Sequence, residues 1–115
     1  MLTTNALSGF AKSNGGDYDI AWGALGSASA STTLSLAYPT VRAGDFLIAI
    51  GQINVAATIS APDWINWTGS TYTLLHYKYA TGTETGSQTF TATASGYSTG
   101  QMIRIRNKSG IPVKL

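Results

Sequence analysis

Thr32-Thr33-Leu34-Ser35-Leu36-Ala37-Tyr38 alternates without a break: Leu34, Leu36 and Tyr38 fall on one side, and Thr33, Ser35 and Ala37 on the other. A period of two marks a half-buried β-strand, because successive side chains of an extended chain point to opposite faces. Downstream, Pro39 ends the strand, since it has no N–H to give to a ladder. Arg42-Ala43-Gly44-Asp45 then turns the chain into FLIAIGQI, residues 46–53, where both faces are apolar apart from Gln52. A strand of that kind is expected at the centre of a sheet or beneath a partner.

The same grammar continues in both directions. Residues 17–22 set Tyr18 and Ile20 against Asp17 and Asp19, and residues 23–31 are a small-residue stretch expected to loop. Residues 55–60 make a further short strand, followed by a Pro62-Asp63 turn and the aromatic stretch from Trp64 to Trp67. Residues 71–80 are the longest strand candidate, and the face carrying Thr73, Leu75, Tyr77 and Tyr79 is expected to meet the core. A hairpin-like loop at residues 81–86 leads to Phe90, Ala92 and Ala94 alternating with Thr89, Thr91 and Thr93, a threonine row suited to water or a partner. After a connection at residues 95–100, the last strand sets Met102, Arg104 and Arg106 opposite Gln101, Ile103 and Ile105. Turn residues recur at intervals of about ten. Seven or eight strands and no long helix predict an all-β fold, a two-layer antiparallel β-sandwich of jelly-roll or immunoglobulin-like type over residues 17–115.

Residues 1–16, MLTTNALSGFAKSNGG, lack the period of two and end in the breakers Asn14-Gly15-Gly16, so they read as an extended N-terminal arm. A short helix over residues 4–12 would place Leu7 and Phe10 on one face. Leu2, Leu7 and Phe10 are the arm's candidate partner contacts, expected to be buried between chains.

Composition narrows the function. At 115 residues the chain is the size of one domain. Only 10% of residues are charged, so the surface is built from hydroxyls, amides and small side chains, which suits assembly. A net charge of +2, with Arg104, Arg106 and Lys108 as the one basic cluster, gives no field of the kind that binds nucleic acid. With no cysteine there are no disulfides, thiolate metal sites or Cys nucleophiles. No apolar run spans a bilayer, and the first ten residues lack the basic start and apolar run of a secretory signal; the expectation is a protein made in the cytoplasm.

Candidate chemistry is sparse. One histidine and five carboxylates offer no nucleophile with its base, so no enzyme activity and no cofactor are expected. His76 sits mid-strand and reads as a strand histidine rather than a ligand. Asp17 and Asp19 share a strand face without a third acidic ligand nearby, which favours a solvated face over a Ca²⁺ site. The glycines match no phosphate-cradling motif. Trp64 and Trp67, three apart in a loop-like stretch, need not both point inward, and they are candidate interface anchors, with core packing the alternative. Arg104 and Arg106 share a parity with Lys108, making a candidate positive row or a solvated edge.

Leu34-Ser35-Leu36-Ala37-Tyr38-Pro39, then Ala43-Gly44-Asp45-Phe46-Leu47-Ile48-Ala49-Ile50, Ala57-Thr58-Ile59-Ser60-Ala61-Pro62-Asp63-Trp64, Tyr77-Lys78-Tyr79-Ala80-Thr81-Gly82-Thr83-Glu84 and Ser87-Gln88-Thr89-Phe90-Thr91 follow one another in an order that resembles small β-sandwich virion proteins of tailed bacteriophages. The resemblance covers roughly residues 32–106. It implies a capsid decoration, or cement, protein on the outer surface of the head, bound to the major capsid protein as a homo-oligomer, dimer or trimer, at a local symmetry axis. Related domains occur in tails and fibres, so the alternative is a receptor- or carbohydrate-binding module there. Neither implies enzyme activity, nucleic-acid binding or a membrane.

Overall fold

The computed structural model describes residues 17–67 and 69–114; the arm 1–16, including the helix expected over residues 4–12, lies outside them. Among the described residues there is no helix. Strands β1 (Tyr18–Trp22), β2 (Gly26–Ala37), β3 (Phe46–Ile53), β4 (Ile59–Ser60), β5 (Ile65–Asn66), β6 (Thr73–Tyr79) and β7 (Ser87–Asn107) join in one antiparallel sheet. Its main path runs β1-β7-β3-β6-β5, with β2 and β4 also paired to β7.

The organising element is β7, which is 21 residues long. At about 3.4 Å per residue a straight strand of that length would reach about 70 Å, yet the described residues extend no more than 42 Å. The strand therefore bends. Its partner along one edge is the chain from β1 through β2, in register from Tyr18 opposite Asn107 to Ala37 opposite Ser87. The register of this ribbon shifts between Ala28 and Thr33, where Ala30 takes a positive φ of 48°. A bulge of this kind sharpens the local twist and redirects the ribbon.

Beyond the bend, the second half of β2 returns across the first. Side-chain atoms of Leu34 and Leu36 come within 3.4 Å of where a Cβ on Gly100 would sit, and the Ser35 carbonyl oxygen lies 2.4 Å from the equivalent point on Gly26. The main core lies between the two parts of the sheet. Leu34, Leu36, Ile59, Phe90 and Ala92 from one part meet Leu47, Ala49, Leu74 and Met102 from the other. The arrangement is consistent with the expected β-sandwich, built from a single sheet that doubles over.

Strand β3 is central, hydrogen-bonded to β6 on one side and β7 on the other, as its two apolar faces require. Leu47 and Ala49 enter the main core, whereas Phe46 and Ile48 enter a second cluster on the outer face with Ile103, Ile105 and Val113. The threonines at 89, 91 and 93 are exposed and Phe90 and Ala92 buried, as alternation dictates.

The structure departs from several local expectations. In β6 it is Leu74 and His76 that the main core buries, while Leu75 and Tyr77 pack partly buried on the outer cluster. Residues 95–100 are strand, not connection, and strand also begins at Gly26 within the stretch expected to loop. Glycines mislead here because they serve close approach. Residues 81–86 do not close a hairpin, since β6 and β7 are separated by β3.

Gly51 stands opposite Gly100 on the neighbouring strand. A Cβ on Gly51 would lie 2.2 Å from the Thr99 carbonyl oxygen and 2.8 Å from the Gly100 Cα, both backbone atoms that cannot swing aside. Gly51→Ala should therefore destabilise the domain by about 3 kcal/mol, at the upper end of the overpacking range. Gly86→Ala, at a positive φ of 72° with open space around it, should cost about 1 kcal/mol. Urea denaturation of the two variants checks the order.

Candidate interaction surface

The basic residues of β7 point to the same face as Met102, and that face meets carboxylates brought in from distant sequence. Arg104 pairs with Asp19 of β1 and donates to the Thr40 carbonyl at 2.8 Å. Arg106 forms a fork on Asp45, with Nε to Oδ1 at 2.9 Å and Nη2 to Oδ2 at 2.8 Å, and its Nη2 also reaches the Thr40 carbonyl at 3.2 Å. Asp45 closes its own turn by accepting the Arg42 N–H at 2.8 Å. Hydrogen bonding from Asp45 raises the Arg106 pKa against the opposing effect of burial, so the guanidinium stays charged. Arg104 is 5% exposed. The two arginines proposed for a positive row are thus paired inside the chain, although the buried Arg104 Nε has no hydrogen-bond partner among the described residues, and Lys108, beyond the end of β7, is the exposed member. Asp19, considered for Ca²⁺, is the partner of Arg104, and among the described residues no group of three or more His, Asp and Glu is placed to hold a metal ion.

The two candidate tryptophans separate. The Pro62-Asp63 turn closes with the Trp64 N–H on the Ala61 carbonyl at 3.2 Å, and Asp63 takes a φ of 68° in the position a type II turn reserves for positive φ. That turn drives Trp64 into the main core, edge-on to Phe90 with ring centroids 5.2 Å apart. Three residues on, the Trp67 N–H donates to the Leu75 carbonyl at 2.8 Å, holding its ring on the opposite face of the sheet.

There Trp67 lies 6.1 Å from Phe46 and 5.1 Å from Tyr77, centroid to centroid, and Tyr79 lies 5.1 Å from Phe46. Phe46 is 1% exposed and acts as the buried anchor. Trp67 and Tyr79 are 48% and 44% exposed, and neighbouring Ile65 is also exposed. The rings are fixed by edge and tilted contacts, so their outward surfaces form a preorganised apolar patch at the β5–β6 end of the sheet. The sequence candidates Leu2, Leu7 and Phe10 lie outside the described residues.

Against protein-family models, curated proteins and solved structures alike, the chain shows no match.

Two buried titratable groups tie the domain's stability to pH. His76 is 2% exposed, and burial lowers its pKa below 6.5, with a bond to the Ile59 carbonyl opposing. Burial alone would raise the Glu84 carboxyl, but the N–H groups of Thr81 and of Glu84 itself, the Lys78 ammonium at 3.1 Å and the Gly82 N–H outweigh it and bring it to about 2, from 4.5. Both folded-state pKa values lie below the unfolded ones, so both contributions are present at neutral pH and are lost on acidification. The domain should lose stability first as pH falls below about 6.5, a loss absent from His76→Leu. A second loss, of about 1–3 kcal/mol, should follow between about pH 5 and 2 and be absent from Glu84→Gln. Thermal melts of the three proteins from pH 8 to 2 test both.

Proposed function

We propose that this chain is a structural virion protein, a capsid decoration protein that binds and stabilises the outer surface of a phage head. The observation that carries the reading is the Trp67–Tyr79 patch: two rigid aromatic side chains, nearly half exposed, standing on a buried phenylalanine in a surface with little charge. Rigid aromatics lose little conformational entropy on docking and dominate the energetics of interfaces. The resemblance of residues 32–106 to small virion β-sandwiches supplies the partner class, the major capsid protein. A protein that binds only the assembled shell stabilises that shell by mass action. The ion pairs of Arg104 and Arg106 within the chain support contact through apolar and hydrogen-bonding groups over contact through charge.

Co-sedimentation with phage heads prepared without the protein tests the proposal. Binding should persist to about 0.5 M salt, where contacts that rest on charge alone are strongly screened. Trp67→Ala combined with Tyr79→Ala should weaken it at least about tenfold while leaving the melting temperature within a few degrees. Trp64→Ala should instead unfold or strongly destabilise the domain, by about 3–5 kcal/mol. Full binding by the double variant, or no binding by the intact protein, would overturn the proposal.

A further inference from the structure

The aromatic patch occupies one end of the outer sheet face. Toward the other end the same face changes character. Residues directly opposite each other in an antiparallel pair project to the same side. Ser27 stands opposite Thr99, Thr99 opposite Gln52, and Gln52 opposite Thr73. Four uncharged hydrogen-bonding side chains therefore line up in register across β2, β7, β3 and β6. Three inter-strand steps of about 4.8 Å make this row about 14 Å long, the length of a short oligosaccharide.

Two open clefts meet along the row. One, of about 480 Å³, is lined by Ser27, Gln52, Asn54, Tyr97 and Thr99 among others. The other, of about 350 Å³, is lined by Trp22, Leu25, Gln52, Thr73, Thr99 and Gln101 among others. They share Gln52 and Thr99, and neither lining contains Asp, Glu, Lys, Arg or His. Two exposed aromatic rings bound the site, Trp22 in one cleft and Tyr97, 60% exposed, in the other.

The polar groups are partly oriented in advance. The Asn54 Oδ1 accepts the Tyr97 N–H at 2.8 Å, which leaves its amide NH₂ available to donate from an exposed side chain. The Gln101 Nε2 donates to the Gly23 carbonyl at 2.8 Å, which leaves its amide oxygen free to accept. Gln52, Thr73 and Thr99 have no side-chain hydrogen bond among the described residues; Gln52 and Thr99 are exposed and Thr73 is half-buried.

We infer that this row is a binding site for a neutral oligosaccharide. Sugar rings present apolar C–H faces and a rim of hydroxyls, and the site offers the complement: aromatic faces with apolar bodies and amide and hydroxyl groups able both to donate and to accept. A nucleotide, phosphate or acidic glycan would meet no cation there, and a buried apolar ligand would leave the Gln52, Thr73 and Thr99 side chains desolvated without partners. The site is separate from the Trp67–Tyr79 patch and does not depend on the role proposed for that patch.

The test uses the full chain titrated with maltohexaose, cellohexaose and N-acetylchitohexaose, with sialyllactose as the anionic control, read by saturation-transfer NMR and calorimetry. At least one neutral sugar should bind saturably, with Kd on the order of 0.1–1 mM for so open a site. Gln52→Ala and Tyr97→Ala should each weaken binding at least about fivefold, with circular-dichroism melts unchanged, because both side chains are exposed. The Trp67→Ala, Tyr79→Ala protein should bind the sugar like the parent, so loss of head binding and loss of sugar binding are read independently. Absence of saturable binding by all three neutral sugars overturns the inference, as does binding undiminished in a Gln52→Ala, Tyr97→Ala protein or tighter binding of sialyllactose.

Discussion

Strand β7 is the constraint on which the fold depends, because β1, β2, β3 and β4 all take hydrogen bonds from it, and β6 and β5 are held only through β3. Its length forces a bend to keep the molecule compact, and the bend places its two halves in different parts of the doubled sheet. Side chains too large at the crossing would hold those parts apart, which is why Gly26 and Gly100, where a Cβ would face the Ser35 carbonyl and the Leu34 and Leu36 side chains, stand in register on β2 and β7. With no cysteine available, closure rests on packing and on the ion pairs that join β1, β7 and the turn before β3. Asp45 is the hinge of that last arrangement, since one carboxylate both shapes the turn and receives the Arg106 fork.

Those pairs also decide what is left for a partner. A chain with so few charges that commits two of its arginines internally presents mainly aromatic rings, hydroxyls and amides outward. On the outer sheet face these are sorted along the strands: Phe46, Tyr77, Tyr79 and Trp67 lie toward one end, and Ser27, Thr99, Gln52 and Thr73 toward the other. One face can therefore offer two different kinds of contact without either intruding on the other.

Much of the architecture was legible wherever alternation was clean. Leu34 and Leu36 are buried, the threonines around Phe90 are exposed, and the doubly apolar run at 46–53 is the central strand. Alternation favoured the wrong face of β6, because His76 and Lys78 make the other face look polar, whereas the choice depends on which side of the sheet is covered. Glycines at 96 and 100 read as breakers, although each is in strand with other atoms close to its missing Cβ. The parity of Arg104 and Arg106 was visible, but their carboxylate partners lie 85 and 61 positions away, so their consumption was not. Trp64 and Trp67 are alike in sequence, and a turn conformation, rather than any difference in composition, sends them to opposite faces. The row from Ser27 to Thr73 left no signal at all, because its members become neighbours only through three strand pairings.

The position of β7 in the chain has a consequence for biosynthesis. It follows every other described strand, so a ribosome making this protein releases β1, β2 and β4 before the element they pair with exists. Only β3, β6 and β5 can zip together in the meantime, through contacts within residues 46–79. Long-range pairing of this kind is slow, and the waiting apolar strands are prone to stick to their neighbours on a crowded polysome. A nascent chain stalled before residue 87 would thus be a half-formed sheet with one side of β3 unpaired, and translation speed through the last strand would govern the yield of soluble protein.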